Sequence, residues 1–281
     1  MKPNKQFVGL DLEFWSNVKL LNQKLGYVVR ATKANPNPNP MFVIPSVDDV
    51  IRVFAENNLN PSKLLQNGAF TNLGQQIIDY MTYRGKVLTI DVQPRLMDKN
   101  KAKQLFYQIK QAKDYSCPLP LIKQKGDKKD FAFLTCIVNM LIEDNIGGRS
   151  CDYNPKELTM ITVNGFPVRT LSRRVDGAFP STKDPVAIWE IKEYYNTTSF
   201  GSRVADGVYE TQLDGWELWE AKHNLKRDIQ HYLIVDGYST WWEMGRSYLC
   251  RLIDSMHMGL VTEVIFGSEV VDRTPQIVKK W

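Results

Sequence analysis

Asp176, Glu190 and Lys192 are the residues whose types and spacing could do chemistry. They fall in Arg173–Tyr195, which reads RRVDGAFPSTKDPVAIWEIKEYY. Two strand-like runs, Arg173–Phe179 and Val186–Tyr194, flank the polar, proline-bounded segment Pro180–Pro185, the composition that a hairpin connection needs. A turn centred on Lys183 opposes Asp176 to Glu190 and Ala178 to Ile188. Opposed side chains share one face of the ribbon, with Cβ atoms roughly 4.5–5.5 Å apart. Strand alternation adds Lys192 to that face and turns Trp189 and Ile191 the other way, with Val175, Gly177 and Phe179. Two carboxylates this close repel unless a cation lies between them. Oxygen-only ligation suits Mg²⁺, which takes one or two protein carboxylates and completes its octahedron with water and substrate phosphate. Lys192 then stands beside a metal-bound water, where it can orient the nucleophile or help deprotonate it. That set of groups suits phosphodiester hydrolysis. A solvated surface ribbon carrying a Glu–Lys pair is the structural alternative.

Asp176 followed by Glu190-Ile191-Lys192 resembles the PD-(D/E)xK nucleases and, among them, the type II restriction endonucleases; Val175 stands where that family often has proline. The resemblance implies a Mg²⁺-dependent, site-specific hydrolase of double-stranded DNA. Asp176 and Glu190 would be metal ligands, joined by the Ile191 backbone carbonyl, and Lys192 would position the attacking water. It also implies a first core helix that carries an acid toward the metal, for which Glu143 is the matching residue. A glutamine on the helix after the motif corresponds to Gln212, whose amide interrupts the apolar stripe Val204, Val208, Trp216 and Trp219. One Asp-Glu-Lys set per chain implies a homodimer, because cutting two antiparallel strands together takes two sites related by symmetry. A repair, resolving or mobile-element nuclease on the same core is the enzymatic alternative, and a non-catalytic DNA-binding regulator with a nuclease-like domain is the other.

The chain has 281 residues, 43% of them hydrophobic and 24% charged, the balance of an ordinary globular protein. No apolar run approaches the ~18 residues of a membrane span, and MKPNKQFVGLDLEFW is not a secretory signal, so a cytoplasmic protein without membrane contact is expected. Cys117, Cys136, Cys151 and Cys250 show no zinc-site spacing with His223, His231 and His257. The charge is unevenly divided. Residues 1–130 hold 20 Lys and Arg against 11 Asp and Glu, whereas residues 131–281 hold 16 against 20. A basic first part suggests contact with a polyanion. Lys101, Lys103, Lys123 and Lys125 are its candidate phosphate contacts, with Arg173 and Arg174 before the motif and Ser199, Ser202 and Arg203 after it.

The elements that must position these residues follow from periodicity and punctuation. Leu10, Phe14, Val18, Leu21 and Leu25 recur at helical spacing before Gly26, and Ser46-Val-Asp-Asp49 reads as a capping box. A helix over Asn72–Arg84 ends at Gly85 and a strand follows over Lys86–Val92, an order compatible with a winged-helix DNA reader. A second helix is read near Ala102–Ala112. Leu158–Val163, the Asn164-Gly165 turn and Phe166–Leu171 lead into the central hairpin as a meander. A helical region to about Asn224 follows, with breaks expected at Gly207 and Gly215, then a strand at Tyr232–Val235, a helix opened by Thr240-Trp-Trp-Glu243, and a strand at Leu260–Phe266. The fold class is α/β (α+β): a restriction-endonuclease-like core with a mixed central sheet flanked by helices over residues 131–281, preceded by a mainly helical, basic region over 1–130.

Overall fold

A computed structural model of the chain describes residues 1–30, 32–36, 38, 41–122, 130–195 and 201–281. The chain runs through α1 (Leu12–Leu25), α2 (Val47–Glu56), the short ribbon β1 (Leu65–Gln66) and β2 (Ala69–Phe70), α3 (Asn72–Val87) and α4 (Lys99–Lys110). Next come β3 (Leu121–Ile122), β4 (Asp130–Phe131), α5 (Phe133–Asn145), β5 (Asp152–Tyr153), β6 (Met160–Val163) and β7 (Phe166–Thr170). Then follow β8 (Gly177–Phe179), β9 (Ala187–Glu193), α6 (Ser202–Leu225), β10 (Gln230–Asp236), α7 (Arg246–His257), β11 (Glu263–Phe266) and α8 (Val270–Val278).

The fold is mixed α and β around a five-stranded sheet in the order β11-β10-β9-β8-β5. Strands β9, β10 and β11 are parallel, and β8 and β5 extend the sheet antiparallel. The parallel pairs are made through α6 and α7, the crossover helices that such strands require. Central strand β9 is buried on both sides over its first four residues, which is why Ala187-Ile-Trp-Glu190 does not alternate between apolar and polar. On one face Trp189, Ala187 and Phe179 join Tyr232, Ile234, Ile265 and the apolar side of α5. The C-terminal Trp281 closes that core by stacking on Trp189, with ring centroids 5.5 Å apart, and on Phe179. On the other face Leu233, Val235, Val264 and Phe266 meet Val204 and Val208 of α6 and Leu249 and Ile253 of α7.

The N-terminal helices obey their caps. Ser46 and Asp49 form the reciprocal capping box at α2, and Gly26 ends α1 at φ +88°. The layer is fastened to the core by a buried charge: Arg84 on α3 donates to both carboxylate oxygens of Asp254 on α7, at 2.9 and 3.0 Å, and to Asn22. Tyr80 donates to the same carboxylate.

Four local expectations are corrected. Residues 86–92 form no strand: α3 runs to Val87 and continues as a π-helical turn over Leu88–Val92. Gly85 serves close approach instead of termination, since a Cβ there would meet the Phe42 ring at 3.2 Å. Ribbon β6–β7 is a separate two-stranded sheet, tied to the β8–β9 connection by an isolated bridge between Met160 and Lys183 and no part of the central sheet's ladder, so the three-stranded meander is not formed. Helix α6 is unbroken, and a Cβ at Gly215 would lie 2.5 Å from the Leu260 carbonyl oxygen. Among the described residues no helix is long and apolar enough to cross a membrane.

Candidate functional site

The β8–β9 pair has the register that its turn implied, with Gly177 opposite Trp189 and Ala178 opposite Ile188. Gly177 is required there, because a Cβ would fall 2.0 Å from the Trp189 indole. The regular strand starts at Gly177, but Asp176 carries the ladder one step further: its N–H donates to the Trp189 carbonyl at 3.1 Å. Its carboxylate then accepts the Ile191 N–H at 2.7 Å, holding that oxygen against the peptide between Glu190 and Lys192. Val175, before the strand, turns instead into the cluster of Ile161, Leu171 and Ile188.

Glu190 is 0% exposed and sits amid charge. Lys192 Nζ lies 3.1 Å from Glu190 Oε2 and 2.8 Å from Glu210 Oε2. Arg173 Nη1 lies 3.0 Å from Glu190 Oε1 and 2.6 Å from Asp214 Oδ2, and Nη2 reaches Glu210 at 3.4 Å. Glu210 and Asp214 come from α6, four residues apart and hence on one side of the helix. Gly207, one turn earlier, gives the Lys192 stem room, since a Cβ there would sit 3.3 Å from Lys192 Cδ. A second ionic layer lies beyond, where Glu217 pairs with Arg169 and accepts from Ser172.

Burial, and after it the charge of Glu190, push the Asp176 carboxyl up to about 6. Burial also raises Asp214 to about 7, with Arg173 working against it. For Lys192 burial opposes the charge, but Glu190 and Glu210 outweigh it and hold the ammonium above its ordinary value. Among the described residues the cluster sets four carboxylates, Asp176, Glu190, Glu210 and Asp214, against two cations, Arg173 and Lys192. Of its buried oxygens, Asp214 Oδ1 has no hydrogen-bond partner, while Glu190 Oε1 is met only by the Arg173 ion pair.

A family model described as Domain of unknown function (DUF7687) matches residues 97–281, the stretch that holds the whole cluster. The chain belongs to the DUF7687 family. Residues 1–90 match a second model, Domain of unknown function (DUF7690). No curated protein and no solved structure matches the chain.

Within the DUF7687 stretch the other candidate residues divide. Glu143 is not at the site: it stands near the C-terminal end of α5, where it accepts from Ser116 and Cys117 and pairs with Lys113. Helix α5 covers the Trp189 face of the sheet, the opposite one, and its N-terminal end is what meets β9, through Thr135 and Glu193. Gln212 is also elsewhere, since two residues from both Glu210 and Asp214 puts it across the helix, where it donates to Ser255 of α7 at 2.9 Å. Arg173 is held in the ion cluster by three carboxylates and is no free phosphate contact. Arg174, Ser202 and Arg203 are exposed, as are Lys101 and Lys103 on α4. Lys123, Lys125 and Ser199 lie outside the described residues.

Sequence reasoning missed Glu210 and Asp214. Their signal was present in the acids at 210, 214 and 217, whose helical spacing makes a stripe. The aromatic residues masked it, because Trp216 and Trp219 read as the buried side while each is 43% exposed. Among the described residues no three His, Cys, Asp or Glu side chains are arranged to hold a metal. The available oxygen set is thus a carboxylate pair with a neighbouring peptide.

Proposed function

We propose that the chain is a Mg²⁺-dependent nuclease of the PD-(D/E)xK type that hydrolyses double-stranded DNA site-specifically, acting as a homodimer. One observation carries the reading: Asp176, Glu190 and Lys192 converge on one patch of the β8–β9 hairpin, with Asp176 bonded to the Ile191 N–H and Lys192 3.1 Å from Glu190. A mixed sheet with α5 on one face and α6 and α7 on the other is compatible with a restriction-endonuclease-like core.

The residues fit a hard divalent cation. Asp214 Oδ1 is a buried carboxylate oxygen without a hydrogen-bond partner, the carboxylates outnumber the cations, and Mg²⁺ asks for no more than one or two protein carboxylates. Asp176 and Glu190 would hold it, with the Ile191 carbonyl beside them. When bound, the ion supplies charge neutralisation at the scissile phosphate and a more acidic water. The chain's own residues do the rest. Asp176 is oriented by the Ile191 N–H, which fixes the direction of its other oxygen. Lys192, with Nζ 3.1 Å from Glu190 and 2.8 Å from Glu210, orients the attacking water and stabilises charge on the phosphate oxygens. Exposed Lys101, Lys103, Arg174, Ser202 and Arg203 supply phosphate contacts.

The closed state of the ion cluster favours a second reading, a DNA-binding protein whose nuclease-like half is inert, because Arg173 and Lys192 already neutralise Glu190. Incubating duplex plasmid with the protein in Mg²⁺ and in EDTA separates the two. Cutting in Mg²⁺ alone is expected. Undiminished cutting in EDTA would remove the proposed site, and binding without any cutting in Mg²⁺ would establish the inert reading.

A further inference from the structure

Arg173 has the geometry of a stand-in for the cation. Its guanidinium lies within 3.4 Å of Glu190, Glu210 and Asp214 at once, on the same buried Glu190 carboxylate that would ligate the ion. A guanidinium and a divalent ion cannot both occupy that carboxylate at full strength, since like charges in a partly dry site repel. Arg173 is also the more accessible of the cluster's two cations, Lys192 being 12% exposed. Its side chain is 22% exposed, whereas those of Glu190 and Asp214 are 0% exposed. It sits just before β8, outside any regular strand, so its side chain can swing without breaking a ladder. Planar guanidinium groups bind phosphate bidentately as readily as carboxylate.

We propose that Arg173 is a substrate-operated gate. In the free protein it holds Glu190 and keeps divalent-cation affinity low. A nucleic-acid phosphate arriving at the hairpin draws the guanidinium away and releases Glu190 to the ion. The inference rests on the nuclease reading of the same site and adds that cation and phosphodiester bind with positive coupling. Coupling of this kind is reciprocal, so each ligand tightens the other by the same factor.

Calcium calorimetry tests this without turnover, because Ca²⁺ occupies oxygen sites and can be titrated in the presence of an intact duplex. The full-length protein should bind Ca²⁺ at least tenfold more tightly once saturated with a short DNA duplex. Arg173→Gln, which keeps the hydrogen-bonding reach and removes the charge, should bind Ca²⁺ at least tenfold more tightly than the parent with no DNA present, and DNA should then add little. Glu190→Gln in the Arg173→Gln background should return the affinity to the parent's or below. If Arg173→Gln does not fold, the duplex titration of the parent alone decides the matter. Equal Ca²⁺ affinity with and without duplex overturns the gate while leaving the nuclease reading intact. No Ca²⁺ binding by parent or variant, with or without DNA, overturns both.

Discussion

Replacing Asp176 by asparagine should stabilise the protein while removing its proposed chemistry. Burial and the neighbouring Glu190 charge push this carboxyl from 3.8 up to about 6. Between those values the folded state holds a proton that the unfolded chain has released, so stability falls as pH rises and the loss is complete above pH 6. A shift of about two units corresponds to about 3 kcal/mol at roughly 1.4 kcal/mol per unit. Asparagine has no charge to bury, and its amide oxygen can still accept the Ile191 N–H, which lies 2.7 Å from the present carboxylate. The gain at pH 8 should therefore be about 1–3 kcal/mol, or on the order of 5 °C in melting temperature for a chain of this length. At pH 4.5 the gap should be roughly a third of its value at pH 8, because the folded state still holds the proton while most of the unfolded chain has released it, and it should close only below pH 3.8. Calorimetric melts across pH 4.5 to 8.5 in EDTA, so that no cation compensates the charge, would measure the difference. A lower melting temperature for Asp176→Asn at pH 8, or a difference that does not change with pH, would refute the reasoning.

Gly177→Ala should cost at least about 3 kcal/mol in urea unfolding, because the added methyl meets the buried Trp189 indole at 2.0 Å and the hairpin must shift to clear it. Asp254→Ala leaves Arg84 charged and unpaired in the interior, and a loss of about 3–5 kcal/mol is expected in the same assay; under 1 kcal/mol would mean that the pair does not fasten the N-terminal layer. Removing Lys101 and Lys103 together should make the slope of log binding constant against log salt shallower by about 1.8, and an unchanged slope would exclude α4 from the DNA contact.

What the sequence carried most clearly were features set by a single residue's geometry. The prolines around Pro180–Pro185 and the period-two pattern placed Ala178 opposite Ile188, and Ser46 with Asp49 marked the start of α2. Asn164 and Gly165, at φ +52° and +82°, made the two-residue turn that their types demand. The mixed character of the fold followed from the same punctuation. What escaped was decided by tertiary contact. Leu88 and Val92 look like strand residues in isolation, yet their four-residue spacing seats them in the core beside Trp241 and Leu249. Trp216 and Trp219 carried the apolar signal of α6, while the side that faces the sheet is made of Val204, Val208, Thr211, Asp214 and Leu218. A buried acid is invisible to hydrophobic periodicity, so Asp214 was lost, and the partly exposed Glu210 with it, and so was the reason that Arg173 points inward. Glu143 was placed by family resemblance, and Gln212 by that resemblance together with its place in the apolar stripe, and the helix faces they occupy carry them to other partners.

The most direct test of the proposed chemistry is a Mg²⁺ cleavage time course comparing the parent with Lys192→Ala on the same duplex, with binding of each measured in Ca²⁺. Lys192 lies 3.1 Å from Glu190 and is held as an ammonium, so its loss should act on the reaction and not on affinity. Cleavage should fall by a factor of order 10² or more, with binding unchanged within about tenfold. Equal cleavage rates for the two proteins would contradict the assignment of Asp176, Glu190 and Lys192 as a nuclease centre.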